Sequence, residues 1–146
     1  MFENSTIESL PDKVKIDFSN CKSINGAFWN CSKLKHIGTV CGAGQSTSYA
    51  YEYIFKGCSS LTTIDLIQFN NKHIIDHQVF QGCTSLSNVN FDNQNGYGIF
   101  YNISFVDCKN LSDDSLKNIL NALQEPRLVL NDSPTVSDSN KIVYYD

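Results

Sequence analysis

The sequence predicts an α+β repeat fold. It is a short solenoid of stacked units, each adding one strand to a single sheet ladder, with a capping helix at its C-terminal end. Two observations carry this. Cys31, Cys58, Cys83 and Cys108 are spaced by 27, 25 and 25 residues, and each stands three residues after a Phe and three before a Leu. The later stretch LSDDSLKNILNALQEP instead spaces its apolar residues as a helix does. A fixed period of this length marks stacked repeats, because one such unit cannot bury its apolar face alone.

The elements follow in order. Residues 1–27 are read as an N-terminal cap and atypical first repeat, in which VKIDF supplies a strand. The following IDFSNCKSI departs from the Phe–Cys–Leu phase, so Cys21 is placed off the ladder. Residues 28–111 carry the repeats, FWNCSKLKHI, FKGCSSLTTIDL, FQGCTSLSNVNF and FVDCKNLSDDSL. Phe28, Phe55, Phe80 and Phe105 form one inward column, and Leu34, Leu61, Leu86 and Leu111 another. Ile37, Ile64 and Val89 form a third, in the strands, which pair at about 4.8 Å. Cys suits the remaining slot because it is small and apolar. Asn30, Gly57, Gly82 and Asp107 precede the four Cys. These residue types tolerate positive φ, so each is expected to end a helical turn in the left-handed region.

Residues 112–125 are the predicted helix, with Ser112 as N-cap and Asp113 and Asp114 beside its positive end. Leu116, Ile119, Leu120 and Leu123 form its expected apolar stripe, and Pro126 stops it. Within residues 126–146, RLVL and KIVYY read as short strands that form a hairpin or extend the sheet. The whole is read as one domain, as the 16.4 kDa mass suggests.

FKGCSSLTTIDL and FQGCTSLSNVNF resemble the BspA-like class of bacterial leucine-rich repeat, whose pattern is close to F-x-G-C-x-S-L-x-x-I-x-L. The resemblance runs from about Val14 to Leu111. It implies a binding role rather than catalysis, and a setting on bacterial surfaces or in phage tail-associated proteins.

Composition narrows the partners. The net charge is −4, with ten Lys scattered singly and one Arg, Arg127. A phosphate-binding face needs clustered Lys and Arg, so nucleic acid is excluded as the expected partner. Lys13, Lys15, Lys33 and Lys35 read as a solvated face. No apolar run is long enough for a membrane span. The opening MFENSTIESLPDKVKI has no basic region followed by an apolar one. That predicts no signal peptide, synthesis in the cytoplasm and reduced thiols, with virion association compatible with both.

Chemistry-bearing patterns have plainer readings beside them. Thiols stacked in a line do not surround one ion, so no metal or other cofactor is expected. His73 and His77 lack a metalloprotease motif, and CGAG at 41–44 lacks the Lys of a phosphate loop. Asp113 and Asp114 read as helix acids, and no enzyme constellation is expected.

Two surfaces remain as candidate partner-binding sites. Tyr49, Tyr51 and Tyr53 alternate in SYAYEYIF, while Ala50, Ile75 and Phe100 align in an inward column. Tyr is a favoured contact residue, although one or two of these rings packed on the neighbouring repeat would also fit. The second surface is the polar strand face of His36, Thr63, Asp65, Asn88 and Asn90, with Lys35 beside it. The expected partner is a protein or cell-surface glycan, with homo-oligomers left open. The expected function is a non-catalytic phage- or bacterium-derived recognition module. The alternative is a small intracellular inhibitor that occludes a host defence protein.

Overall fold

The computed structural model describes residues 1–11, 13–42, 52–69, 78–94, 97–98, 103–123 and 128–129. A four-stranded parallel sheet runs β1 (Lys15–Asp17), β2 (His36–Cys41), β3 (Thr63–Gln68), β4 (Asn88–Phe91) in chain order. Helix α1 (Asp113–Ala122) follows the two-residue strand β5 (Ile103–Ser104). That strand pairs in parallel with β6 (Leu128–Val129) in a separate small sheet. RLVL therefore does not extend the main sheet, and KIVYY lies outside the described residues.

The period becomes a stack of rungs. Phe28, Phe55, Phe80 and Phe105 lie ring on ring at 5.5, 5.6 and 4.8 Å, within 17° of parallel. Offset stacking at such distances adds to the burial of large apolar rings. Phe18 and Phe91 meet this column edge-on at 6.4–6.5 Å. Leu34, Leu61, Leu86, Ile37, Ile64 and Val89 are buried beside it. Alternation along β3 and β4 turns Ile64 and Val89 inward and Asp65 and Asn88 outward.

Each ladder Cys is held by the rung before it. The Sγ of Cys31, Cys58, Cys83 and Cys108 donates to the carbonyl of Phe2, Phe28, Phe55 and Phe80 at 2.8, 3.1, 3.1 and 3.8 Å. Four thiols thus serve four successive rungs rather than one centre. Cys21 is half-buried and off this ladder. Its turn nonetheless repeats the local bond, Cys21 N–H to the Phe18 carbonyl.

The ladder starts earlier than the cysteine spacing indicates. Phe2 stacks on Phe28 at 5.2 Å and 11°. The Asn4 N–H donates to the Trp29 carbonyl as Asn30 does to Lys56 and Gly57 to Gln81, each at 2.8 Å. Asn4 and Asn30 share φ values of 55° and 56°. Lys35 N–H donates to Glu8, as Thr62 does to Lys35 and Ser87 to Thr62. Phe2, Asn4, Ser5, Ile7 and Leu10 therefore form a complete rung, with Ser in the Cys slot and one residue fewer before the Leu slot.

Three of the four expected left-handed residues have positive φ: Asn30, Gly57 and Gly82. Asp107 does not. Its carboxylate accepts the Gly82 N–H at 2.7 Å, the bond that a backbone carbonyl takes in earlier rungs. A side chain thus replaces the turn geometry in the last rung.

Helix α1 begins as expected. Ser112 is the N-cap, its hydroxyl accepts the Ser115 N–H, and Asp113 and Asp114 occupy the first turn. Its buried face differs from the expected stripe: Ser115, Ile119 and Ala122 face inward, Leu116 is half-buried and Leu120 is exposed. The reason lies in β4, whose outer edge needs hydrogen-bonding partners. The Val89 N–H donates to Ser115 Oγ at 2.9 Å, and the Phe91 N–H to Asn118 Oδ1 at 2.7 Å. Asn118 Nδ2 returns a bond to the Phe91 carbonyl at 3.3 Å. Polar side chains on the inner helix face thus stand in for a fifth strand. Helix α1 ends at Ala122 with Leu123 as C-cap, before Pro126.

Replacing Asn118 with Leu leaves both Phe91 backbone groups unpaired. A stability loss of about 1–3 kcal/mol is expected from the urea midpoint, and Asn118→Asp, which keeps the acceptor, should lose less.

Candidate recognition surface

The outward face of the main sheet is built by register. His36, Thr63 and Asn88 are successive Cα partners across β2, β3 and β4. Asp65 and Asn90 stand two residues further along their strands, on the same face. His36 Nε2 lies 3.0 Å from Asp65 Oδ1, and Asn90 Nδ2 donates to the Asp65 carbonyl at 3.1 Å. Residues from three rungs therefore meet at Asp65, whose side chain stays 51% exposed against 25% for His36.

A second polar line borders this face. The hydroxyls of Thr62 and Ser87 donate to the carbonyls of Lys35 and Thr62 at 2.9 and 3.1 Å. Asn88 bridges the side chains of Ser87 and Ser112 at 3.1 and 3.0 Å. Thr63 is half-buried in the first row. At the other side Lys35 meets Glu8 at 3.5 Å, with both side chains 64% exposed. Such a pair lies in high dielectric and contributes little to stability.

The face is narrower on β2 than the sequence suggests. A Cβ on Gly38 would lie 2.9 Å from the Val14 carbonyl, so the backbone at Lys13–Val14 packs against Gly38 there. The open part is the His36 end of β2 together with Asp65, Asn88 and Asn90.

Of the three candidate tyrosines, Tyr49 and Tyr51 lie outside the described residues, as do Ala50, Ile75, Phe100, His73 and His77. Tyr53 is half-buried and stacks on Trp29 of the preceding rung at 5.8 Å. Lys56 Nζ sits 4.8 Å from the Tyr53 ring centre and donates to Gln78 at 2.8 Å. Tyr53 itself has φ of 58°, an uncommon conformation for an aromatic residue. Part of its ring area thus goes to packing on the neighbouring rung. Trp29 and Lys56 were not legible as members of this cluster. The available signal was the rung position after each Phe, which reads Trp29, Lys56, Gln81 and Val106.

The ladder thiols have a structural setting. Burial pushes Cys58 and Cys108 up to about 12, helped by the Cys31 thiol and the Asp107 carboxylate respectively. Burial raises Cys83 well above its ordinary value, with the thiols of Cys108 and Cys58 adding to it. A thiol held neutral is a poor nucleophile and a poor metal ligand. Among the described residues no group of three or more His, Cys, Asp or Glu is arranged to hold a metal ion, and no helix is long and apolar enough to cross a membrane.

The surface is therefore a row of hydrogen-bonding side chains on a parallel sheet, with one exposed carboxylate at its centre. Comparison with known proteins places the rungs in a family. No curated protein and no solved structure matches the chain. The model of the BspA type leucine rich repeat region matches residues 1–126 in 6 copies, a span that takes in the Phe2 rung and the helix as well as the cysteine ladder, and the chain belongs to that family.

Proposed function

We propose that this chain is a non-catalytic protein-binding module, a short solenoid closed at one end by α1, that presents the outward face of its sheet to a partner. Leucine-rich-repeat domains are generally binding domains, and that supports the class. The observation that carries the surface is the junction at Asp65, where His36, Asp65 and Asn90 from three rungs are linked by bonds of 3.0 and 3.1 Å. Side chains held this way lose little further freedom on binding, so more of each contact appears as affinity. An exposed carboxylate beside amide and hydroxyl groups suits a partner rich in hydrogen-bond donors. Trp29 and Tyr53 offer a second, aromatic contact area.

Within this reading the partner is a protein or glycan displayed on a bacterial surface, the setting the family resemblance implies. The test is a split capture experiment. Tagged chain is offered to intact bacterial cells and wall fragments in one arm and to their cytosolic lysate in the other. An Asp65→Ala/Asn90→Ala variant should lose at least about tenfold in capture while its melting curve shows it still folded. Equal capture by the variant would exclude the sheet face. Variant-sensitive capture of a single cytosolic protein would replace surface recognition with intracellular inhibition.

A further inference from the structure

We propose that the open edge of β1 is an interface between two copies of this chain, paired antiparallel about Ile16. The two edges of the main sheet are treated differently. On β4 the outer backbone groups are taken by Ser115 and Asn118 of α1. On β1 no strand or helix of the described residues lies beyond the sheet. An unpaired strand edge is a template for another chain.

The backbone phase of β1 fits this use. The Phe18 N–H donates to the Cys41 carbonyl at 2.8 Å. By alternation Ile16 also turns its N–H toward β2, while Lys15 and Asp17 turn their N–H and C=O groups to the open edge. An antiparallel partner centred on Ile16 sets Lys15 opposite Asp17 of the second copy, and Asp17 opposite its Lys15. Both are hydrogen-bonded pairs, in which opposed side chains stand on the same face. The sequence Lys-Ile-Asp is thus self-complementary only when antiparallel, because a parallel copy would set Lys on Lys and Asp on Asp. An isologous two-fold interface has this property, and it closes at two copies.

The apolar pattern agrees. Ile16 is half-buried while Lys15 and Asp17 are exposed. Phe2, Ile7 and Leu10 are likewise only partly buried at this end of the core. Among the described residues the exposed large hydrophobic ones are Met1, Val14 and Leu120, and the first two belong to this end. The Asp17 Oδ1 accepts from the N–H and hydroxyl of Ser19.

The test is sedimentation of the full 146-residue chain over a wide concentration range. The expected result is a concentration-dependent species of twice 16.4 kDa. Lys15→Asp sets acid against acid and should leave a monomer, and Asp17→Lys should do the same with two cations. An equimolar mixture of these variants should regain the dimer, because only the mixed pair has opposite charges at both positions. Melting curves show that each variant is folded. Should Asp17→Lys melt early through loss of its Ser19 bonds, Lys15→Asp alone decides. A wild type monomeric throughout, a Lys15→Asp variant as dimeric as wild type, or folded variants that stay monomeric when mixed would each overturn the proposal.

Discussion

Replacing Leu61 with Asp is expected to abolish folding. Leu61 has no exposed surface and sits in the column with Leu34 and Leu86, both also fully buried. Its own backbone is tied into the rung, with the N–H donating to the Cys58 carbonyl at 3.1 Å. A carboxylate there would have a buried thiol and apolar neighbours, and nothing on the rung to ionise against. Burying an unpaired charge costs several kcal/mol even after relaxation. The lost packing of the side chain adds about 2–5 kcal/mol. Together these are comparable with the whole stability of an ordinary domain, about 5–15 kcal/mol. Repeats transmit the damage, because each rung contacts only its neighbours and Leu61 lies in the middle of the stack. Far-UV circular dichroism should show a chain unfolded at 25 °C, whereas Leu61→Ala should stay folded with a lowered urea midpoint. A soluble Leu61→Asp protein melting like wild type would show that the Leu column does not face inward.

The second large effect is expected at alkaline pH. Cys58 and Cys108 are pushed up to about 12, and Cys83 also lies well above its ordinary value. Unfolded thiols ionise near 8.5. Below that pH both states are neutral, and the burial of the thiols contributes fully to stability. Above it the unfolded chain loses protons that the folded chain keeps. Each thiol then costs about 1.4 kcal/mol per pH unit until the pH passes its folded value. Cys58 and Cys108 together give a slope of roughly 3 kcal/mol per unit between about pH 9 and 12, and Cys83, Cys31 and Cys41, also raised by burial, steepen it, enough to unfold an ordinary domain within a few units. Urea midpoints measured from pH 7 to 11 should fall steeply above pH 9. Cys83→Ala should start lower from its cavity but fall less steeply than wild type. Equal slopes would show that Cys83 is not held neutral by burial. Cys21, half-buried and off the ladder, should be the first thiol to react with a soluble disulfide reagent at neutral pH.

The periodic positions of this protein are determined by the sequence alone. Phe, Cys, Leu and Ile or Val recur in phase because stacking forces like residues into like slots, and a slot that accepts only an apolar group of one size leaves its mark on every rung. The N-terminus of α1 was legible for a similar local reason, since Ser112 accepts an N–H within one turn and the acids after it lie beside the positive helix end. The polar strand face followed from alternation.

What the tertiary structure decided lies where a rung departs from the pattern or where two distant segments meet. The Phe2 rung is hidden in sequence by Ser5 in the Cys slot and by one missing residue, yet the stack admits it because its ring and its carbonyls are in place. Asp107 looked like a turn residue and serves as a hydrogen-bond acceptor for Gly82 instead. The inner face of α1 carries Ser115 and Asn118, which periodicity of apolar residues assigns to solvent. They face inward because the outer edge of β4 presents unpaired backbone groups, and pairing a backbone group is worth more there than burying Leu120. The close approach of the Val14 backbone to Gly38, which trims the binding face, is likewise a contact between segments that no local pattern encodes. Repetition fixes what each rung shares with its neighbours. Among the described residues the ends of the stack have a strand on one side only, and at β4 the three-dimensional demand for hydrogen-bond partners chooses which residues turn inward.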